Sequence, residues 1–128
     1  MHRGEILWFE PDPVRGSEQA GRRPALLISR DAINRVSPVV VVVPLTTYRG
    51  RTLYPSDVLV KAPEGGLARD SVVLGLHLRA VARERLGRVI GRVEPVTLRK
   101  IETAVLRVLA IEPEAAETRG EPDTADGL

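Results

Sequence analysis

Pro38 and the five consecutive valines that follow it, residues 39–43, restrict the fold of this chain more than any other feature. β-Branched side chains are stiff at χ1, which disfavours a helix and suits a pleated, packed surface. An apolar run without polar alternation is typical of a strand buried on both faces. The sequence therefore predicts a buried β-strand that ends at Thr46-Thr47.

Shorter apolar segments on either side predict further strands. Residues 24–29 form a second continuous apolar run, whereas residues 56–60 alternate between two faces. Residues 5–9, 71–74 and 89–90 are the other predicted strands, residues 31–35 predict one helical turn, and residues 83–86 are ambiguous. Turn-forming glycines and prolines separate these segments.

The last ordered element is predicted to be a helix that begins at Glu94-Pro95, because proline is favoured in a first helical turn. Apolar residues then recur at roughly helical spacing, namely Val96, Leu98, Ile101, Val105, Leu106 and Leu109. Five to seven short strands with one C-terminal helix predict a small, mainly β, barrel-like domain. We expect this domain to span residues 1–111, followed by an acidic, disordered tail at residues 112–128.

The composition excludes several classes of protein. The 128 residues suffice for one compact domain, and the absence of cysteine excludes disulfides and thiolate chemistry. With two histidines the chain offers little for a zinc site, so we expect no metal and no cofactor. The N-terminus has no apolar signal core, and no apolar run is long enough to cross a bilayer, which predicts a cytoplasmic protein.

The small net charge of +2 conceals an asymmetry along the chain. The stretch after Ile111 has six acidic residues and one arginine, a net charge of −5, so residues 1–111 carry +7. Nearly all of that excess is arginine, whose planar guanidinium makes bidentate contacts with phosphate. A basic folded body is typical of a nucleic-acid-binding protein, although arginine content also follows genomic base composition.

Polar residues in unusual places are the best guide to a site, since no familiar catalytic signature is present. Arg23 lies before Pro24, which holds it in an extended conformation at the start of a predicted strand. Thr46 and Thr47 lie at the exit of the valine strand. Local sequence alone also explains Arg23 as a solvated strand end, the threonines as ordinary strand residues, and His77 as a structural histidine.

Several segments, in the expected order over nearly all of residues 3–111, resemble the MazF/PemK family of bacterial toxin endoribonucleases. The longest and most specific is the run Gly16-Ser17-Glu18-Gln19-Ala20-Gly21-Arg22-Arg23-Pro24. The others are Arg3-Gly4-Glu5-Ile6, Asn34-Arg35, Ser37-Pro38, the valine strand into Leu45-Thr46, Arg69-Asp70-Ser71-Val72-Val73-Leu74, Arg79, and Arg85-Leu86.

This resemblance implies a twisted, SH3-like β barrel of the CcdB/MazF type with a C-terminal helix, working as a homodimer. It implies cleavage of single-stranded RNA at short sequences without a metal, and neutralisation by a cognate MazE-like antitoxin. Carried over by position, the catalytic residues are Arg23 and Thr46. The RNA-binding residues are Ser17, Glu18, Gln19, Thr47, His77 and Arg79. His77 stands where relatives carry a glutamine that contacts RNA, which leaves the cleavage sequence open.

Cleavage without a metal requires a group that accepts the proton of the ribose 2′-hydroxyl and charge stabilisation on the phosphoryl oxygens. Arg23 and Thr46 can supply the second requirement. Arginine is a poor proton acceptor at neutral pH, although the family's usual candidate for acid–base work is Arg23. We therefore expect His77 or Glu18 to assist proton transfer.

Two other functions fit the same kind of fold. CcdB-like toxins share this barrel and act by binding DNA gyrase, without chemistry of their own. A small barrel that binds RNA or protein without acting on it would fit the basic body equally well. The positions of Arg23, Pro24 and Thr46 favour the nuclease, because a gyrase-binding protein has no need of them.

Overall fold

The computed structural model describes residues 1–10 and 22–112. Seven strands and two helices form in these residues: β1 (Glu5–Phe9), β2 (Arg23–Leu27), α1 (Asp31–Val36), β3 (Val39–Thr47), β4 (Asp57–Val60), β5 (Ser71–Leu74), β6 (Arg79–Ala82), β7 (Leu86–Arg92) and α2 (Pro95–Val108). The predicted mainly β fold with a C-terminal helix is confirmed. The acidic tail and the predicted RNA-binding residues Ser17, Glu18 and Gln19 lie outside the described residues.

All strand pairs of the sheet are antiparallel, in the order β4-β5-β3-β2-β1-β7, with β6 paired to β3. The end strands β4 and β7 are not paired with each other in the described part of the chain, so the barrel-like sheet remains open along that line.

Strand β3 is longer than the valine run because pairing continues through Thr47. Its first half pairs with β6 and its last three residues pair with β5. From the Leu45–Val73 pair to the Val42–Arg79 pair, β3 covers three residues, whereas the chain that runs from β5 to β6 covers six. The additional residues include the 3-10 turn Gly75–His77, which lies between β5 and β6. Strand β6 was not predicted, because it consists largely of small residues and follows a turn.

Two apolar clusters lie on the two faces of the sheet. The first joins the sheet to α2 and contains Ile6, Leu26, Val43, Leu45, Val58, Val60, Leu67, Val73, Val93, Ile101, Ala104 and Val105. The second contains Leu7, Phe9, Ala25, Leu27, Val40, Val42 and Val81. Adjacent residues of β2 and β3 enter different clusters, which explains why both strands read as unbroken apolar runs.

Helix α2 begins as predicted, with Pro95 in its first turn after Glu94. It packs through Ile101, Ala104 and Val105 against β4 and the Gly75–His77 turn. No helix in residues 1–10 or 22–112 is both long and apolar enough to span a membrane.

A buried polar network attaches α1 to the sheet. The hydroxyl of Ser29 donates to Oδ1 of Asn34 at 2.5 Å, and Nδ2 of Asn34 donates to the carbonyl of Ser29 at 2.7 Å. The same hydroxyl accepts the backbone N–H of Val41 at 3.1 Å. Arg83 donates to the carbonyls of Asn34 and Ser37, which ties the turn after β6 to the same helix. Asn34 is 1% exposed, so its polar atoms depend on these partners.

We predict that Asn34→Ala lowers the free energy of unfolding by about 1–3 kcal/mol, because it leaves buried partners of the amide unsatisfied. Urea unfolding followed by circular dichroism measures the change. The matched control is Arg35→Ala on the exposed side of the same helix, for which we expect a change below about 0.5 kcal/mol. Equal effects of the two substitutions would contradict the role given to Asn34.

Candidate active site

Arg23 and Thr46 lie on the same face at the same end of the sheet. The ladder between β2 and β3 ends at the pair Ala25–Pro44. Arg23 comes two residues before Ala25, and Thr46 comes two residues after Pro44. Because the two strands are antiparallel, both residues lie beyond the same end of the ladder. Because side chains alternate with a period of two, both share the face of Ala25 and Pro44. Arg23 is exposed and Thr46 is half-buried.

Phe9 connects Arg23 to a second arginine. Phe9 is the registered partner of Arg23 in the β1–β2 ladder, and its ring belongs to the second apolar cluster. The guanidinium carbon of Arg79 lies 5.3 Å from the centre of that ring, within the range of a cation–π contact. Arg79 pairs with Val42, on the same face as Pro44. Arg23, Thr46 and Arg79 thus lie on the face of the sheet that holds Phe9.

Thr47 is on the opposite face from Thr46. It lines a cavity of about 320 Å³ together with Trp8, Pro24, Gly66, Leu67, Ala68, Arg69, Ser71 and Ile90. Trp8 and Pro24 are registered partners on β1 and β2, one residue along from Phe9 and Arg23. The threonine pair therefore contributes to two different surfaces.

His77 is exposed at the end of the Gly75–His77 turn. Its electrostatic effect falls on Asp57, at the start of β4. In the residues that the structure describes, His77 makes no hydrogen bond or ion pair with Arg23 or Thr46. Its predicted parts in RNA binding and proton transfer stay predictions.

A salt bridge fixes the loop in front of β4. Arg51 donates to both carboxylate oxygens of Asp57, at 2.9 and 3.3 Å, and the backbone N–H of Tyr54 donates to one of them at 2.8 Å. The hydrogen bonds from Arg51 hold the pKa of Asp57 below its usual range, against the opposing effect of burial. Asp57 therefore has a structural role, since its carboxylate accepts hydrogen bonds from Arg51 and Tyr54.

Three residues of these surfaces were not predicted from the sequence: Trp8, Phe9 and Arg69. Trp8 and Phe9 are adjacent in an apolar strand, where aromatic side chains are ordinary core residues. Arg69 was noted as part of a motif, but nothing in its local sequence places it beside Trp8. In residues 1–10 and 22–112, no group of three or more histidine or acidic side chains could hold a metal ion.

The fold and this site define a class of protein: a small antiparallel β protein with a C-terminal helix and an arginine–threonine cluster at one end of its sheet. The family model described as PemK-like, MazF-like toxin of type II toxin-antitoxin system matches residues 2–109. This chain belongs to that family.

Individual relatives agree with the family match. Endoribonuclease MazF9 of Mycobacterium tuberculosis is 38% identical, over 82% of this chain and 92% of that protein. Endoribonuclease EndoA of Bacillus subtilis is 34% identical, over 87% of this chain and 96% of that protein. A solved mycobacterial endoribonuclease in complex with its cognate antitoxin superposes with a TM-score of 0.72, at 29% identity, covering 89% of this chain and 99% of the other. These relatives favour the nuclease over the CcdB-like alternative.

Proposed function

We propose that this chain is a cytoplasmic toxin endoribonuclease that cleaves single-stranded RNA at short sequences, without a metal, and that a cognate MazE-like antitoxin inhibits it. The observation that carries the proposal is the shared position of Arg23 and Thr46 two residues beyond the Ala25–Pro44 pair. A cationic fork and a hydroxyl on one face can bind the same phosphoryl group. Relatives named as endoribonucleases support the reaction.

In the proposed reaction the ribose 2′-oxygen attacks the adjacent phosphorus while the bond from phosphorus to the 5′-oxygen breaks. A base takes the proton of the 2′-hydroxyl, and an acid gives a proton to the leaving 5′-oxygen. The products are a 2′,3′-cyclic phosphate and a 5′-hydroxyl end. Arg23 and Thr46 donate hydrogen bonds to the phosphoryl oxygens as negative charge develops on them.

Single-stranded substrate follows from the same chemistry. The 2′-oxygen, the phosphorus and the 5′-oxygen must lie nearly in line for the displacement, and an A-form duplex does not permit that arrangement. Arg79, which is held on Phe9, and the predicted RNA-binding residues Ser17, Glu18 and Gln19 would bind the RNA around the cleaved bond.

The antitoxin is expected to present an acidic, extended segment to the basic surface near Arg23 and Arg79. Residues 1–111 carry a net charge of +7, so such a segment would bind with complementary charge. A segment in this position would compete directly with RNA. The solved mycobacterial endoribonuclease was captured with its own antitoxin, which supports an inhibitor of this kind.

We predict that the purified protein cuts single-stranded RNA at discrete positions in EDTA, and that Arg23→Ala reduces the rate by at least about 10³-fold. Thr46→Val, which removes one donor and keeps the shape, should reduce it by about 10²–10³-fold. Denaturing gels of end-labelled RNA measure both rates.

The matched control is Arg99→Ala, which removes the same charge from the exposed face of α2. It should cleave at the wild-type rate. Uncut RNA with the wild-type protein, or equal cutting by the Arg23 and Arg99 variants, would contradict the proposal.

The second prediction concerns the general base. If His77 accepts the proton, His77→Ala should lower the cleavage rate by about 10²–10⁴-fold. It should also change the dependence of the rate on pH, because a general base must be deprotonated to act. An unchanged rate and profile would eliminate His77 and leave Glu18, which Glu18→Gln tests in the same assay.

The proposed homodimer is supported by an uncovered apolar surface formed by α1, the start of β3 and α2. Val36, Val39 and Ile33 are 81%, 46% and 41% exposed. A cavity of about 470 Å³ adjoins them, lined mainly by the apolar residues Ile28, Ile33, Val41, Val105 and Leu106, with the Arg3–Glu102 ion pair at its side. Contiguous apolar surface of this kind marks a protein interface. A second copy would cover it by two-fold symmetry.

We predict that Val36→Asp converts the protein from dimer to monomer, because a carboxylate would be buried without a partner at the contact. Size-exclusion chromatography with light scattering measures the mass. Val96→Asp is the matched control, because Val96 is also an exposed valine but lies in the first turn of α2. A monomeric wild-type protein, or a dimeric Val36→Asp variant, would contradict this assignment of the interface.

A further inference from the structure

The cavity beside Thr47 has the composition of a site for a flat ring. Trp8, Pro24 and Ile90 contribute apolar surface, while Thr47 and Ser71 contribute hydroxyls. At about 320 Å³ the cavity has room for one nucleobase. Trp8 is half-buried, so part of its ring is held by the sheet and part is accessible.

Two arginines lie close to this cavity. The guanidinium carbon of Arg22 is 5.1 Å from the centre of the Trp8 ring. Arg69 lines the cavity, and its side chain has no hydrogen bond or ion pair in the part of the chain that the structure describes. Aromatic rings for stacking, combined with cations for the backbone, are the features by which proteins hold single-stranded nucleic acid.

The segment of residues 66–69 also lines the cavity. Gly66 has a positive φ of 76° and lies against the carbonyl of Ile90 so closely that a Cβ would meet that oxygen at 2.3 Å. This close approach brings the 66–69 segment onto β7. The N–H groups of Ala68 and Arg69 have no backbone partner within the described residues. They and the Arg69 guanidinium can bond to the edge of a base, and a guanidinium matches the two acceptors of guanine.

The cavity is lined by strand residues that are direct neighbours of the candidate catalytic residues. Thr47 and Pro24 line it, whereas their neighbours Thr46 and Arg23 lie on the other face. An RNA strand that crosses the end of β2 and β3 would therefore place a phosphate at Arg23 and Thr46 and an adjacent base beside Thr47.

We propose that this cavity is a nucleobase subsite, in which Trp8 stacks on a base flanking the cleaved bond and Arg69 binds the edge of that base. The inference rests on the proposed ribonuclease function, and it adds a determinant of the cleavage sequence. A base with two acceptors on one edge, such as guanine, is the preferred occupant.

Trp8 is the single tryptophan of the chain, so its fluorescence reports directly on this cavity. The probe is a set of single-stranded 2′-O-methyl RNA oligonucleotides of mixed sequence, which lack the attacking hydroxyl and stay intact. Titration of the full-length wild-type protein should quench Trp8 emission to saturation. Fluorescence polarisation of the same labelled oligonucleotides gives the dissociation constant independently.

Trp8→Leu removes the stacking platform and Arg69→Ala removes the contact with the base edge, and each should raise the dissociation constant by about 5- to 150-fold. Arg69→Ala should also weaken the base preference at one position next to the cut, read by sequencing the ends of cleaved RNA. Arg99→Ala, the control of equal charge on α2, should change neither quantity. Because Arg69 is exposed, its variant remains informative if Trp8→Leu does not fold.

Two further results separate the subsite from the function on which it rests. Saturable quenching by RNA in a protein that cuts no RNA would contradict the ribonuclease function and support the subsite. RNA cleavage and binding without any change in Trp8 emission, or with wild-type affinity and base preference in Arg69→Ala, would overturn the subsite alone.

Discussion

Strand β3 is the constraint on which the rest of the structure depends, because it pairs with three other strands. Residues 42–44 pair with β2, residues 39–42 with β6 and residues 45–47 with β5. Such a strand has apolar neighbours on both faces along most of its length, and stiff β-branched side chains suit it. Val40, Val42 and Val43 are fully buried in the two clusters. The valine run therefore joins the two parts of the sheet and both halves of the core.

At the end of β3, the proposed catalytic residues and the proposed nucleobase subsite lie on opposite faces of the sheet. Core packing fixes the face of each β3 side chain as far as Leu45, and alternation carries this assignment on to the next two residues. Thr46 consequently lies with Arg23 and the Phe9–Arg79 contact, while Thr47 lies with Trp8 and Arg69. A register shift of one residue would exchange the two threonines, so the buried valines determine which hydroxyl can meet the phosphate.

The sequence predicted the elements that carry a strong local signal and missed those that depend on distant partners. The valine strand, the strand at residues 56–60 and helix α2 were predicted because β-branching, alternation and proline at a helix start are local properties. Strand β6 was missed since Arg79, Ala80 and Ala82 acquire their strand geometry from pairing with β3. At the site, the long motif around Arg23 marked the arginine. The cavity joins Trp8 to Arg69, sixty-one positions apart, and only the fold brings them together.

Helix α2 is too short to cover the whole first face of the sheet. Its 14 residues span about 21 Å, and they lie over β4 and the Gly75–His77 turn, where Ala104 packs close to Gly75. Beside the C-terminal half of α2, the surface formed with α1 and the start of β3 keeps Val36 and Val39 in contact with solvent. A second copy of the chain can cover the exposed valines, and in doing so would bring two sets of Arg23 and Thr46 into one assembly. The proposed homodimer would thus cover the part of the sheet that α2 leaves exposed.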